Sequence, residues 1–321
     1  MTRIQNNAAA QTIKLLFLLI ICFGHIGAVM TAGKAPGFLM NKWWVLGDIG
    51  LFYFSMSSAY FTALRYDTPQ LMSSYWQRKV SRIGLQFLFI TAILFCYFLM
   101  QGRKGIFTLH SLINLFGLNG FLNWFHIRST SPFGAGQWFI TVLFLFYLAY
   151  PFINHWFKSR TSMNFLLVIA AVAAMAGESY FHYGHALWST SFGFITGFYL
   201  CRHKPQQRAV LLCAAGLGLA LIMLKVLYSS SSVVTYSIIA IMGFCLGLLT
   251  LPKDIPWLNF NAFVRPLEGI FLPLFLMHSY FFQYTLVAQP YINALISLIC
   301  NMILAKIVAI AYAHIQKALG M

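Results

Sequence analysis

Long apolar runs recur along this chain from one end to the other, as in "KLLFLLIICFGHIGAVM" (14–30), "RIGLQFLFITAILFCYFLM" (82–100) and "INALISLICNMILAKIVAIAYA" (292–313). A helix crosses the hydrocarbon core of a bilayer with about 20 apolar residues, so runs of this length point to membrane spans. Charged residues make up 8% of the chain, against about 25% in a soluble domain. Open strands are excluded, because backbone polar groups exposed to lipid must be paired within their own segment. The expected fold is an all-α polytopic membrane protein, a bundle of about ten transmembrane helices. The spans are expected near 12–32, 44–64, 81–101, 137–157, 163–183, 187–201, 209–228, 233–251, 267–287 and 291–315. A single membrane-embedded domain, 1–321, accounts for the whole pattern, with its longest connection at about 102–136.

The formal charge of +16 would suggest nucleic acid in a soluble protein. Here the basic residues lie mostly between apolar runs, where they act as topology signals and lipid-headgroup contacts. No nucleic-acid partner is expected. With the N-terminus in the cytoplasm, Arg3, Arg65, Arg78, Lys79, Arg82, Lys158, Arg160, Arg202, Lys204, Arg208, Lys253, Arg265 and Lys317 fall on inner segments, and only Lys34, Lys42, Arg103, Lys104 and Arg128 on outer ones. This excess places both termini in the cytoplasm. Arg3 and Lys14 precede the first apolar run as they would in a signal peptide. That run reaches about Ala32 without an A-x-A site, so it is expected to be a retained helix.

The six cysteines form no CxxC pair and no Cys/His ligand set, so no metal site is expected. Intramembrane ionisable groups are costly and tend to face the bundle interior, which singles out His25 in "FLLIICFGHIGAV". Lys14 lies eleven residues earlier. That is close to three helical turns, so both side chains project from nearly one face, about 16 Å apart along the axis. A cation at the cytoplasmic edge and a base deeper in would suit an anionic ligand entering from inside. A snorkelling lysine and an interhelical histidine contact would look the same. In "WQRKVSRIG", Arg78 and Arg82 stand at i,i+4 and Lys79 and Arg82 at i,i+3. Those spacings share a helical face and could hold phosphates, although any basic inner loop also serves topology. His278, in "PLFLMHSYFF", lies about as deep in an outward-running span as His25, so the two imidazoles could share a site. Glu178 and His182 form an i,i+4 pair near the outer end of the fifth span, and Glu268 could meet the basic cluster. In the 102–136 segment, Trp124 and Phe125 suit an interfacial anchor or an aromatic platform for a sugar. No Ser/His/Asp triad, Walker A loop or GxGxxG is recognisable.

Several short motifs in order resemble the integral-membrane acyltransferase family 3, which includes bacterial O-acetyltransferases of surface polysaccharides. The first helix of that family carries an Arg, ten residues and a His; Lys14 and His25 keep the spacing. "GLFYFSMSSAYF", Gly50 to Phe61, resembles the second helix, with Ser58-Ala59-Tyr60 in place of Ser-Gly-Tyr. Arg78-Lys79-Val80-Ser81-Arg82-Ile83 resembles the basic start of the third helix. "QWFITVLFLFYLAYPFI" supplies Trp138, Phe139, Tyr147 and Pro151 of the fourth, and Phe275 to His278 resembles a late Tyr-x-x-His. Gly136-Gln137-Trp138-Phe139 lacks the histidine that commonly precedes Leu-Trp-Phe. The chain resembles a divergent member.

The resemblance implies a multi-pass protein of the bacterial inner (plasma) membrane. It would move an acyl group, most often acetyl, from cytoplasmic acyl-CoA to a hydroxyl of a cell-surface glycan or its lipid-linked precursor. Acetyl-CoA is then a co-substrate, and no metal is required. His25 and His278 take the catalytic positions, Lys14, Arg78, Lys79 and Arg82 the CoA phosphates, and Trp124, Trp138 and Glu178 the acceptor. The competing expectation is a transporter or flippase with His25, His278, Lys306 and Glu268 along its path. Paired broken helices in two related halves would mark it, and no such repeat is recognisable.

Overall fold

The computed structural model describes residues 7–30, 38–66, 72, 74–134, 136–177, 187–203, 214, 216–218, 221–222, 232–252, 255, 258, 260–267, 269–282 and 285–318. The expected seventh span, 209–228, lies mostly outside them, as do Glu178, His182 and Glu268. The described residues are helical and contain no strand. The longer helices are α1 (Ala8–Met30), α2 (Phe38–Arg65), α3 (Tyr75–Met100), α6 (Trp138–Trp156), α7 (Arg160–Val172), α8 (Leu187–His203), α9 (Ser232–Thr250) and α12 (Pro290–Ala318). Short helices α4 (Leu109–Leu115), α5 (Asn119–Trp124), α10 (Asn261–Val264) and α11 (Phe271–Met277) lie between them.

Among the described residues, four helices are long and apolar enough to cross a membrane: α1, α3, α6 and α12. The outer face of α12 shows why. Ile299, Ile303, Ile307 and Ile310 are exposed at helical spacing, as a lipid-facing stripe would be. The expected ninth span, 267–287, is not one helix. After α11 the backbone turns at 278–280, and Phe282 takes a left-handed φ of 58°, a conformation that a bulky side chain rarely adopts. A further difference lies in α3, where Val80–Gly84 is π-helical. The helical spacing of Arg78, Lys79 and Arg82 is therefore interrupted at its centre.

The chain divides into two compact units. The first comprises 1–17, 45–73 and 143–261. Its core rests on two small-residue faces. Gly193 and Gly197 of α8, and Gly243 and Gly247 of α9, are each four apart, and both pairs close on Phe52 and Met56 of α2. A Cβ at Gly197 would overlap the Met56 backbone. Small residues at this spacing let helix backbones approach closely enough for packing to hold them in lipid. Phe52 and Met56 are completely buried. Around them, Phe146 stacks on Phe194 with ring centroids 4.6 Å apart. Asn7 caps α1, its Oδ1 accepting from the Ala10 N–H at 2.9 Å, while its Nδ2 donates to the carbonyls of Thr250 and Leu251 at the end of α9. One side chain thus satisfies open backbone groups of two helix ends. Arg202 does the same for α6, reaching the Phe157 carbonyl at 3.3 Å and Asn154 Oδ1 at 2.6 Å.

The second unit comprises 18–44, 74–142 and 262–321. Helix α11 packs against α3 and α12, and Leu94, Phe98, Ile106 and Phe133 form a buried apolar cluster joined by Tyr280 and Phe281. The 102–136 segment is a folded layer that includes α4 and α5. Thr108 caps α4 through the Ser111 N–H. Asn114 donates to the Phe133 carbonyl, and Asn119 to that of Gly134. Thr141 Oγ1 donates to the Gly117 carbonyl at 2.6 Å and accepts from the Gly120 N–H at 2.8 Å. From α12, Asn301 donates to the carbonyl of Phe281 at 3.0 Å, holding the chain just past the turn. Tyr312 donates to the Ser81 carbonyl in the π turn at 2.8 Å.

Candidate active site

Two histidines, 253 positions apart in sequence, meet in the second unit. His25 Nδ1 lies 2.8 Å from His278 Nε2, and the rings are nearly parallel, 8° apart with centroids at 5.1 Å. His278 is 1% exposed. Its other nitrogen, Nδ1, sits 2.8 Å from the carbonyl of Phe275 and 3.1 Å from that of Leu274. The Leu274 carbonyl also accepts the backbone N–H of His278 at 3.1 Å, so the ring adds a second donor at the end of α11 and supplies one to the Phe275 carbonyl.

Those contacts order the protons of a neutral pair. A carbonyl oxygen only accepts, so Nδ1 of His278 carries the hydrogen. Nε2 of a neutral His278 is then a lone pair, and it must accept from Nδ1–H of His25. Neutral His25 is left with its lone pair on Nε2. The hydrogen bond made by one ring nitrogen thus decides which nitrogen of the partner ring can act as a base.

Around the pair the walls are aromatic. Trp43, from the start of α2, stands edge-on to His25 with centroids 4.8 Å apart and an interplanar angle of 85°. Its ring occupies the space that a side chain on Gly24 would need. Phe275 stands 6.3 Å from His278 and 5.7 Å from Phe139 of α6. A second tie runs through Tyr280, two residues beyond His278, whose Oη accepts from the Gly134 N–H at 2.7 Å.

The family model for the acyltransferase domain matches residues 7–314. The chain belongs to this acyltransferase family. No curated protein matches it, and no solved structure does. A family match over nearly the whole chain, together with its apolar helices, makes the protein a membrane acyltransferase.

In this acyltransferase the other expected site residues take different positions. Lys14 is half-buried on α1, in the first unit, with Nζ 4.9 Å over the ring of Phe61. Arg78 and Lys79 are half-buried and Arg82 is exposed, all in the second unit. Lys79 Nζ lies 5.7 Å over the ring of Tyr75. Trp124 and Trp138 are interior residues, 6% and 8% exposed, whereas Phe125 is open at the surface. The Trp124 indole packs against Phe121, with centroids 5.2 Å apart. Glu178 lies outside the described residues.

Trp43 and Gln137 carry little signal in the sequence, where Gln137 only marks a motif departure. Trp43 had one signal, the glycine beside His25, which leaves room for a flat ring. Gln137 is completely buried, yet neither its Oε1 nor its Nε2 has a hydrogen-bond partner among the described residues. Its polarity at the mouth of an apolar helix was its only mark in the sequence.

Proposed function

We propose that this membrane acyltransferase is a multi-pass O-acyltransferase of the bacterial inner membrane. It moves an acyl group, acetyl in the first instance, from cytoplasmic acyl-CoA to a sugar hydroxyl of a surface glycan or its lipid-linked precursor. The observation that supports this reading is the proton order of the imidazole pair, which leaves Nε2 of His25 as the basic nitrogen.

The chemistry follows from that nitrogen. His25 Nε2 takes the proton of the acceptor hydroxyl as its oxygen attacks the thioester carbonyl carbon. The C–O bond forms and the C–S bond breaks. His25 then returns the proton to the departing thiolate, releasing CoA as the thiol. While His25 is an imidazolium, its Nδ1–H stays hydrogen-bonded to His278 Nε2, so His278 orients and stabilises the charged ring. The aromatic faces of Trp43 and Phe275 exclude water that would otherwise hydrolyse the thioester. Arg78, Lys79 and Arg82 supply cations for the CoA phosphates, and Lys14 supplies another from the helix that carries His25. Trp124 and Trp138 belong to the acceptor side.

Purified protein in liposomes, given [14C]acetyl-CoA and envelope glycans, tests the reading. Label should enter the glycan fraction. His25→Ala should reduce transfer by about 10²-fold or more, with expression and membrane insertion unchanged. Full activity in that variant removes His25 from the mechanism.

A further inference from the structure

Gln137 has no structural use for its amide. It is 0% exposed, and both polar atoms lack a partner among the described residues. A buried amide without hydrogen bonds costs free energy, and native structures keep few of them. Its backbone, by contrast, is fully engaged: the N–H donates to the Gly134 carbonyl at 3.0 Å, and the carbonyl accepts from the Ile140 N–H at 3.0 Å. The main chain is therefore held firmly while the side chain is kept open.

Its place in the fold links it to the imidazoles by two routes. Gly134, which receives the Gln137 N–H, donates its own N–H to Tyr280, two residues past His278. Phe139, two residues after Gln137, packs on Phe275, which packs on His278. The same layer holds two further unpartnered buried atoms, Asn114 Oδ1 and Trp124 Nε1.

We propose that Gln137 is an acceptor-binding residue whose amide clasps a sugar hydroxyl, in the layer that Tyr280 and Phe275 tie to the imidazole pair. This rests on the O-acyltransferase reading. The amide itself indicates the ligand group. Nε2 donates and Oε1 accepts, so full satisfaction needs a partner that does both, and a hydroxyl does both. A thioester carbonyl only accepts and would leave Oε1 unpaired. A pyranose presents several hydroxyls side by side, which also suits the open Asn114 and Trp124 atoms.

The test uses liposomes containing the full-length protein, with [14C]acetyl-CoA as donor and an extract of envelope glycans from the expressing cells as acceptor. Gln137→Met keeps the length and removes the amide. Half-saturation for the extract should rise at least tenfold, while half-saturation for acetyl-CoA stays the same. The melting temperature of the unliganded protein should hold or rise, because an unsatisfied buried amide has been removed. Gln137→Asn, which keeps the amide on a shorter arm, should fall between wild type and Gln137→Met and covers the case in which the methionine variant does not fold. Unchanged acceptor half-saturation in the folded variants overturns the proposal and leaves the amide to a buried water. So does a shift confined to acetyl-CoA. Failure of the wild type to label any glycan overturns the O-acyltransferase reading, and with it the ligand assigned to Gln137.

Discussion

The packing around Phe52 and Met56 in the first unit and the layer around His25 and His278 in the second both join segments far apart in sequence, but they are closed in opposite ways. In the first, glycine pairs of α8 and α9 bring helix backbones onto two fully buried apolar side chains. The neighbouring hydroxyls of Ser55, Thr196 and Thr250 bond to carbonyls of their own helices. Among the described residues, none of these three hydroxyls is left without a partner. In the second, helix α11 ends early, the imidazole at its end bonds to the carbonyls of Phe275 and Leu274, and the Gln137 amide, Asn114 Oδ1 and Trp124 Nε1 have no partner among the described residues. Of the described buried polar atoms without a partner, Thr12 Oγ1 and His203 Nε2 lie in the first unit, and Asn114 Oδ1, Trp124 Nε1, both amide atoms of Gln137 and Asn301 Oδ1 lie in the second. The second unit thus leaves more polar groups unpaired, at a cost in stability that binding a polar partner can offset.

Substitutions in the two regions should have effects of different kinds. The largest is expected at Gly197. Gly197→Leu drives a side chain into the Met56 backbone and should destabilise the protein by about 3 kcal/mol or more, seen as a lower melting temperature and a loss of monodisperse protein. A fall in activity with normal folding would mean that this packing serves the reaction instead. Next comes His278→Asn, which retains a donor near the position of Nδ1 and removes the acceptor for His25. It should lower kcat by about 10²-fold while leaving the melting temperature and the acyl-CoA KM near those of wild type. An unchanged kcat would show that His25 orients without it. The smallest is Arg82→Ala, exposed and without packing to lose, which should raise the KM for acyl-CoA a few-fold and spare the acceptor KM. An unchanged donor KM would reduce the basic cluster to a topology signal.

The two histidines of the candidate site were visible one at a time. His25 stood out as an imidazole in hydrocarbon, and His278 by its equal distance into a second outward-running span. Similar depth suggested that the two could share a site, but their direct contact and the nitrogens that meet were not legible, because helical periodicity encodes faces within a segment and says nothing about which remote face it meets. The ninth span misled for a related reason. "FLPLFLMHSYFF" is apolar enough to continue as a helix, yet it breaks at His278, where the ring bonds to carbonyls of the preceding turn and Phe282 takes a positive φ. Trp43 was one aromatic among many until it lay over Gly24. The 102–136 segment read as an interfacial anchor or an aromatic platform, and side-chain bonds from Asn114, Asn119 and Thr141 organise it as a layer.

By itself the sequence determined the solvent, the class of secondary structure and the chemical groups available. Long apolar runs admit only helices in lipid, and a few ionisable residues among them are too costly to be incidental. Only the tertiary structure decided which groups act together. The partner of His25, the nitrogen that keeps its lone pair and the unpaired state of the Gln137 amide among the described residues all depend on which side chains packing brings within a few ångströms. No local pattern carries that information, because a hydrogen bond between residues 25 and 278 is a property of the assembled helices rather than of either segment.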